Sequence, residues 1–193
     1  MDTKGGIQMD HLEIVSQHIN WFLSHHDRLL VAIDGNCTAG KTTLAMQLGK
    51  IYDCNIIHMD DFFLRPEQRT EARYAQPGGN VDYERFKEEV LAPLHKGIAF
   101  SYRPFDCKTF KLIESIYVPV KKLNIIEGSY SLHPYFEDPY DLRVLLTVDP
   151  QTQHQRILMR PEFLHKRFFD EWIPMENRYF QKFDIAAAAD IIL

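Results

Sequence analysis

Apolar positions recur along the chain with two periods, and the switches between them set out an order of elements. Leu12, Val15, Ile19 and Phe22 fall at helical spacing behind Asp10 and Glu13, a pair that resembles a capping box. They predict an opening amphipathic helix over about 10 to 25 that covers one face of a sheet. Short apolar runs at Leu29 to Asp34, Asn55 to Met59, Leu123 to Ile126, Arg143 to Val148 and Asp190 to Leu193 read as strands, separated by helical or loop sequence. That alternation predicts an α/β protein with a parallel sheet of about five strands flanked by helices. Leu44, Ala45, Leu48 and Ile51 share a helical face after the first run, and Phe86, Val90 and Leu94 mark a helix from about Asp82 to His95, stopped near Gly97. Gln151 to Met159 and Phe168 to Phe183 also read as helical, with Pro174 either kinking the second or starting a new one. From Phe100 to Val120 the sequence turns aromatic and β-branched, with Pro104 and Pro119 at its margins, which predicts a hairpin beside the main sheet.

Composition narrows the picture. At 193 residues and 45% hydrophobic content the chain builds one core, so a single domain over 1–193 is expected. A net charge of −5 offers no broad basic surface for nucleic acid, although a small positive cleft would not show in the total, so the expected partner is a small molecule. The oligomeric state is left open, a homo-oligomer included. Cys37, Cys54 and Cys107 lack metal-ligand spacing, and no apolar run approaches the roughly 20 residues of a membrane span. Met1 to Gln8 lacks the apolar segment of a secretion signal, and a reducing cytoplasm fits these features.

The chemistry concentrates at Gly35-Asn36-Cys37-Thr38-Ala39-Gly40-Lys41-Thr42, a complete G-x-x-x-x-G-K-[ST] between a strand and a helix, with Thr43 next. Gly35 and Gly40 permit backbone turns that a β-carbon would obstruct, so successive N–H groups converge on one anion. The helix behind the loop turns its positive dipole end toward the same place. In this pattern Lys41 reaches the β and γ phosphates of a nucleotide and the Thr42 hydroxyl ligates Mg²⁺. Cys37 reads as a small filler of the loop, with a redox role as the alternative.

Ligands of open parallel sheets collect beyond the carboxyl ends of the strands. Asp60 and Asp61 follow the second predicted strand, Glu127 and Gly128 the third, and Asp149 the fourth, where Pro150 favours a helix start. Of two adjacent residues leaving a strand only one points into the cleft, so Asp60 and Asp61 should not share a role. Phosphoryl transfer to an alcohol needs a carboxylate that orients the hydroxyl and takes its proton, which Asp60 can supply. Glu127 is placed to sit near the metal. Arg156 and Arg160 share a helical face, and with Arg167 they lie where a lid over about 160–167 can close on the phosphates. His58, His133, His25 and His26 have no metal-like partners at useful spacing and read as structural or surface residues.

Taken together, Asp34-Gly35 through Thr42-Thr43, Met59-Asp60-Asp61-Phe62-Phe63, Asn80-Val81-Asp82 and Ile126-Glu127-Gly128 resemble, in order and interval, the uridine kinase and phosphoribulokinase family of P-loop kinases. The match runs from about Leu29 to Leu193. The resemblance implies a three-layer P-loop NTPase fold with a five-stranded parallel sheet, a small β appendage over about 100–120 and an arginine-bearing lid. It implies ATP and Mg²⁺ as cofactors, Asp60 as catalytic base, Asp82 on the acceptor's ribose hydroxyls and Glu127 near the metal. Two departures stand out. Uridine kinases carry Tyr-Asp-Phe with a histidine shortly after it to hold the pyrimidine, whereas this chain reads Phe105-Asp106-Cys107-Lys108-Thr109-Phe110 with no histidine until His133. A base site built on that histidine is therefore not this site, and Tyr102 and Arg103, just upstream, are the candidate substitutes. The lid is also short.

The sequence thus points to ATP-dependent phosphoryl transfer, with Lys41, Asp60, Arg156 and Arg160 as catalytic residues and a nucleoside such as uridine or cytidine as the leading acceptor. Nicotinamide riboside, pantothenate and sugar phosphates remain open. Phe62, Phe63, Tyr74, Tyr102 and Phe105 are candidates for stacking on a base and equally for core packing. The rival from another class is a nucleotide-binding regulatory switch without a small acceptor.

Overall fold

The chain is described here from a computed structural model covering residues 10–193, so the reading of Met1 to Gln8 lies outside the described residues. Strands occur, in chain order, at Leu29–Gly35 (β1), Cys54–His58 (β2), Phe100–Tyr102 (β3), Phe105–Asp106 (β4), Lys111–Leu112 (β5), Ile116–Val118 (β6), Leu123–Glu127 (β7), Leu142–Leu146 (β8) and Ile191–Ile192 (β9). Helices occur at His11–His25 (α1), Lys41–Ile51 (α2), Glu71–Ala75 (α3), Tyr83–Phe86 (α4), Ala92–Lys96 (α5), Pro150–Leu158 (α6), Glu162–Arg167 (α7), Ile173–Phe183 (α8) and Ile185–Ala188 (α9).

Every residue of β1 is buried, because helices cover both faces of the sheet it runs through. The order is β2-β7-β1-β8-β9, with every neighbouring pair parallel. Side chains alternate across the sheet. Leu29, Val31 and Ile33 meet Val15 and Ile19 of α1 and Leu44, Ala45 and Leu48 of α2 on one face. Leu30, Ala32 and Ile126 meet Phe62, Phe86, Val90, Tyr130, Tyr179 and Ile185 on the other. Each of the larger aliphatic and phenyl side chains buried in these layers contributes roughly 1.5–3 kcal/mol. The five strand positions read from the sequence are all present, shifted at their ends by one or two residues.

Three expectations are corrected in detail. Asp10 does precede α1, but its side chain makes no capping hydrogen bond, so the capping box does not form. The hairpin over 100–120 is two nested antiparallel ladders, β3 with β6 and β4 with β5, because Pro104 interrupts the first strand and has no N–H to donate. The helical run read from Phe168 starts earlier, since helical backbone already runs from Glu162; a π-helical stretch, Phe168–Trp172, leads into α8, and Pro174 stands in the first turn of that helix, in keeping with the reading that it starts a new one. A matching stretch, Lys87–Leu91, joins α4 to α5 just ahead of Pro93. Widening the turn there makes room for a ring that lacks an N–H donor and would collide with the carbonyl four residues back.

Candidate active site

Parallel register decides which side chains meet at the carboxyl edge of the sheet. Ile33 pairs with Glu127, Glu127 with His58, and Gly35 with Leu146, so the ends of β1, β2, β7 and β8 lie side by side. Beyond β1 the chain enters the phosphate-loop sequence. Gly35 has φ 144°, and a β-carbon there would sit 2.0 Å from the Leu146 carbonyl oxygen, so the close approach to β8 requires glycine. At Gly40, φ is 103° and an added β-carbon would meet nothing within 4 Å. It would project into open space ahead of α2, whose first-turn N–H groups get no side-chain cap from Gly40. A concave set of amide donors at a helix N-terminus suits phosphate oxygens. Lys41 is buried and curls back, donating to the carbonyls of Gly35 at 2.7 Å and Asn36 at 2.8 Å.

Thr42 lies in the first turn of α2, and its Oγ1 lies 3.1 Å from both carboxylate oxygens of Glu127 at the end of β7. His58 Nδ1 lies 2.5 Å from Glu127 Oε1, and this hydrogen bond raises the pKa of the imidazole. Asp60 leaves β2 on a short 3₁₀ turn and opens into the cleft. The surrounding protein walls, then the charge of Glu127, push its carboxyl above the usual range, against the pull of Lys41 and His58. Asp61 turns elsewhere: it accepts the Tyr102 hydroxyl at 2.8 Å, while its main-chain oxygen accepts from Arg85. Among the described residues no three His, Cys, Asp or Glu side chains converge to hold a metal ion. Thr42 and Glu127, with Asp60 nearby, are oxygen donors of the kind Mg²⁺ takes when one or two carboxylates share it with substrate phosphates. These residues therefore fit the ion that the fold implies.

A cleft of about 1420 Å³ joins these groups to the segment after β8. Asp149 caps α6 by accepting Thr152 N–H at 2.9 Å, and α6 carries Arg156, whose guanidinium donates to the Thr38 carbonyl at 2.8 Å. Arg160 follows in the turn before α7 and lines the same cleft, as does Arg167. Thr38 to Thr43, Asp60, Glu127, Arg156 and Arg160 are thus brought to one cavity.

Asp82, Tyr102, Arg103 and Phe105 are not. Asp82 is buried, caps α4 through Arg85 N–H at 3.2 Å and accepts from Gln68 at 2.8 Å, beside a separate charged depression of about 450 Å³. Tyr102 is buried against Phe62. Arg103 braces the nested hairpin through the carbonyls of Leu112 and Ile113. Phe105 is buried beneath the Arg69 guanidinium, 5.6 Å from its ring centre. Each is committed to internal structure.

Other residues enter that sequence reading passed over. Besides His58, the buried Glu176 of α8 accepts Cys37 N–H at 2.9 Å and the Ser129 hydroxyl at 2.7 Å, tying that helix to the phosphate loop. Glu176, Tyr179, Phe180 and Phe183 share one helical face, and a carboxylate on that otherwise aromatic stripe was the available signal. Burial, reinforced by the Glu176 carboxylate, pushes the Cys37 thiol up to about 12. Asp34, fully buried at the end of β1, accepts the N–H groups of Gly35, Tyr130 and Leu132 and the Tyr179 hydroxyl.

No protein-family model matches the sequence, and no curated protein does. Solved structures do match the fold. A possible uridine kinase from Bacillus stearothermophilus superposes with a TM-score of 0.71 at 19% identity, over 94% of this chain and 96% of that one. A candidate fructose transport system kinase from Silicibacter sp. TM1040 gives 0.72 at 19% identity, over 96% and 100%. D-glycerate 3-kinase from Cryptococcus neoformans gives 0.64 at 16% identity, over 89% and 87%. The architecture expected from the motifs, a central five-stranded parallel sheet between helices as in P-loop kinases, is the architecture found.

Proposed function

We propose that the protein is an ATP- and Mg²⁺-dependent kinase that phosphorylates a hydroxyl of a small metabolite. The observation that carries this reading is Asp60: a carboxylate of raised pKa opening into the same cleft as the phosphate loop. A general base works best with a pKa drawn toward the working pH. In the proposed reaction Asp60 accepts the proton of the acceptor hydroxyl as its oxygen bonds to the γ-phosphorus. The bond from that phosphorus to the bridging oxygen breaks, and ADP leaves with the electron pair. Lys41 exchanges the carbonyls of Gly35 and Asn36 for phosphate oxygens, and Arg156 and Arg160 face the charge that develops there. Mg²⁺, held by Thr42 and Glu127, would neutralise charge on the phosphates. His58 fixes the orientation of Glu127, and the segment over about 160–167 acts as the lid.

The three named neighbours act, by their descriptions, on different acceptors, so they do not select one. A reducing cytoplasm suits the free thiols of Cys37, Cys54 and Cys107. The test is Asp60→Asn. Calorimetry with Mg-ATP should show affinity within about twofold of wild type, while acceptor-dependent ADP release falls at least about 100-fold. Near-normal turnover in that variant rejects the role of Asp60. ATP hydrolysis that no small acceptor stimulates but a protein partner does would favour a regulatory switch.

A further inference from the structure

The cleft that holds Asp60 also carries, at Arg69 and Lys108, positive charge that phosphoryl transfer does not by itself require. Arg69 lies over the rings of Phe105 and Phe110, 5.6 and 5.1 Å from their centres, and its Nε donates to the Leu64 carbonyl at 3.0 Å. Those contacts fix the plane of the guanidinium and leave its terminal amino groups for another partner. Among the described residues neither Arg69 nor Lys108 belongs to an ion pair. The acid nearest Lys108 in sequence, Asp106, is occupied within its own turn by the N–H of Lys108 and the hydroxyl of Thr109. Arg69, Lys108, Arg167 and Asp60 line one and the same cleft, together with Cys107. Asn80 lines the same cleft and holds a buried amide oxygen without a partner in the protein, an acceptor suited to a hydroxyl.

The same features disfavour a flat, neutral base. Arg69 covers faces of Phe105 and Phe110, Tyr102 is buried, and Arg103 is spent on the hairpin. Resting on the kinase reading above, we infer that the acceptor is an anionic hydroxylated metabolite. Arg69 and Lys108 hold its carboxylate or phosphate group while one of its hydroxyls meets Asp60. An arginine fork held flat by stacking is suited to two parallel hydrogen bonds with an oxyanion, and a neutral acceptor would leave that charge unanswered.

The experiment is ADP release with Mg-ATP across two charged arms, hydroxycarboxylates such as glycerate and monophosphates such as ribose 5-phosphate and fructose 1-phosphate. Uridine, cytidine, glycerol and ribose serve as uncharged counterparts, with mass detection of products. Turnover confined to one charged arm is the expected result, and the arm that responds tells carboxylate from phosphate. Arg69→Gln should raise the KM for that acceptor at least about tenfold with the KM for ATP unchanged, and Arg69→Lys should recover part of the loss. Lys108→Gln, at an exposed position that puts folding at no risk, should raise the same KM several-fold. Turnover of an uncharged compound, or an acceptor KM indifferent to both neutralising variants, overturns the anionic acceptor and leaves the kinase reading standing. Silence in both charged arms overturns it as well. Silence together with no ATP binding by calorimetry takes the kinase reading with it.

Discussion

At the scale of single residues, environment separates side chains that the sequence presents as alike. Cys37 and Cys107 are both free thiols beside the cleft, yet Cys37 is held near 12 by burial and by Glu176, whereas Cys107 lies exposed, its thiol raised by its surroundings but with two arginines opposing the shift. Because the thiolate is the reactive form, iodoacetamide at pH 8 should alkylate Cys107 first and Cys37 at least about tenfold more slowly, as read by peptide mass spectrometry. Equal rates would contradict the burial of Cys37 and revive a redox role for it. The placement of the loop motif and of Asp60 in one cleft was legible because spacing alone marks a glycine-rich loop and the exit of a strand. His58 was not, since its partner Glu127 is 69 positions away and meets it only through strand register. Asp82, Tyr102 and Phe105 carry the right chemistry for an acceptor site, but burial and internal hydrogen bonds commit them elsewhere, and one-dimensional spacing does not show that.

At the scale of elements, α6 links a local signal to the site. Hydrogen bonds from the Thr152 side chain and then its N–H hold the Asp149 carboxyl below the usual range, and Pro150 opens the helix that presents Arg156 to Thr38. Asp149→Ala should lower the urea midpoint, as loss of an N-cap does, and leave the Michaelis constant for ATP within about twofold. An unchanged urea midpoint would show that tertiary contacts, not the cap, hold α6 in place. Caps and apolar periods of this kind made most helices and all five sheet strands readable. The two π-helical stretches were not readable, because the pattern records a proline without recording whether the helix widens to admit it or stops. The nested ladders of 100–118 were hidden for a related reason: strands of two or three residues are too short to show a period.

At the scale of the whole molecule, strand order is the property least available to sequence, since the parallel order β2-β7-β1-β8-β9 depends on where each helical crossover returns. Asp34 sits at the centre of that order. It joins the end of β1, the loop after β7 and, through Tyr179, helix α8, so four donors converge on one fully buried carboxylate. Burial outweighs those hydrogen bonds and raises its pKa from 3.8 to about 6. The folded group therefore holds its proton more tightly than the unfolded one. Its stabilising contribution is complete below pH 3.8 and is lost as pH rises through about 6. Over that window the wild type should lose about 3 kcal/mol relative to Asp34→Asn, whose neutral side chain does not titrate. Urea unfolding of both proteins from pH 4 to 7 measures the difference, and the carboxyl carbon shift of Asp34 checks it where the variant folds poorly. A stability difference that stays flat across the window, with a carboxyl shift that does not move near pH 6, would mean that the four donors win and Asp34 is ionised throughout. The node would then act as a fixed negative charge behind Lys41, strengthening its hold on the loop carbonyls at every pH.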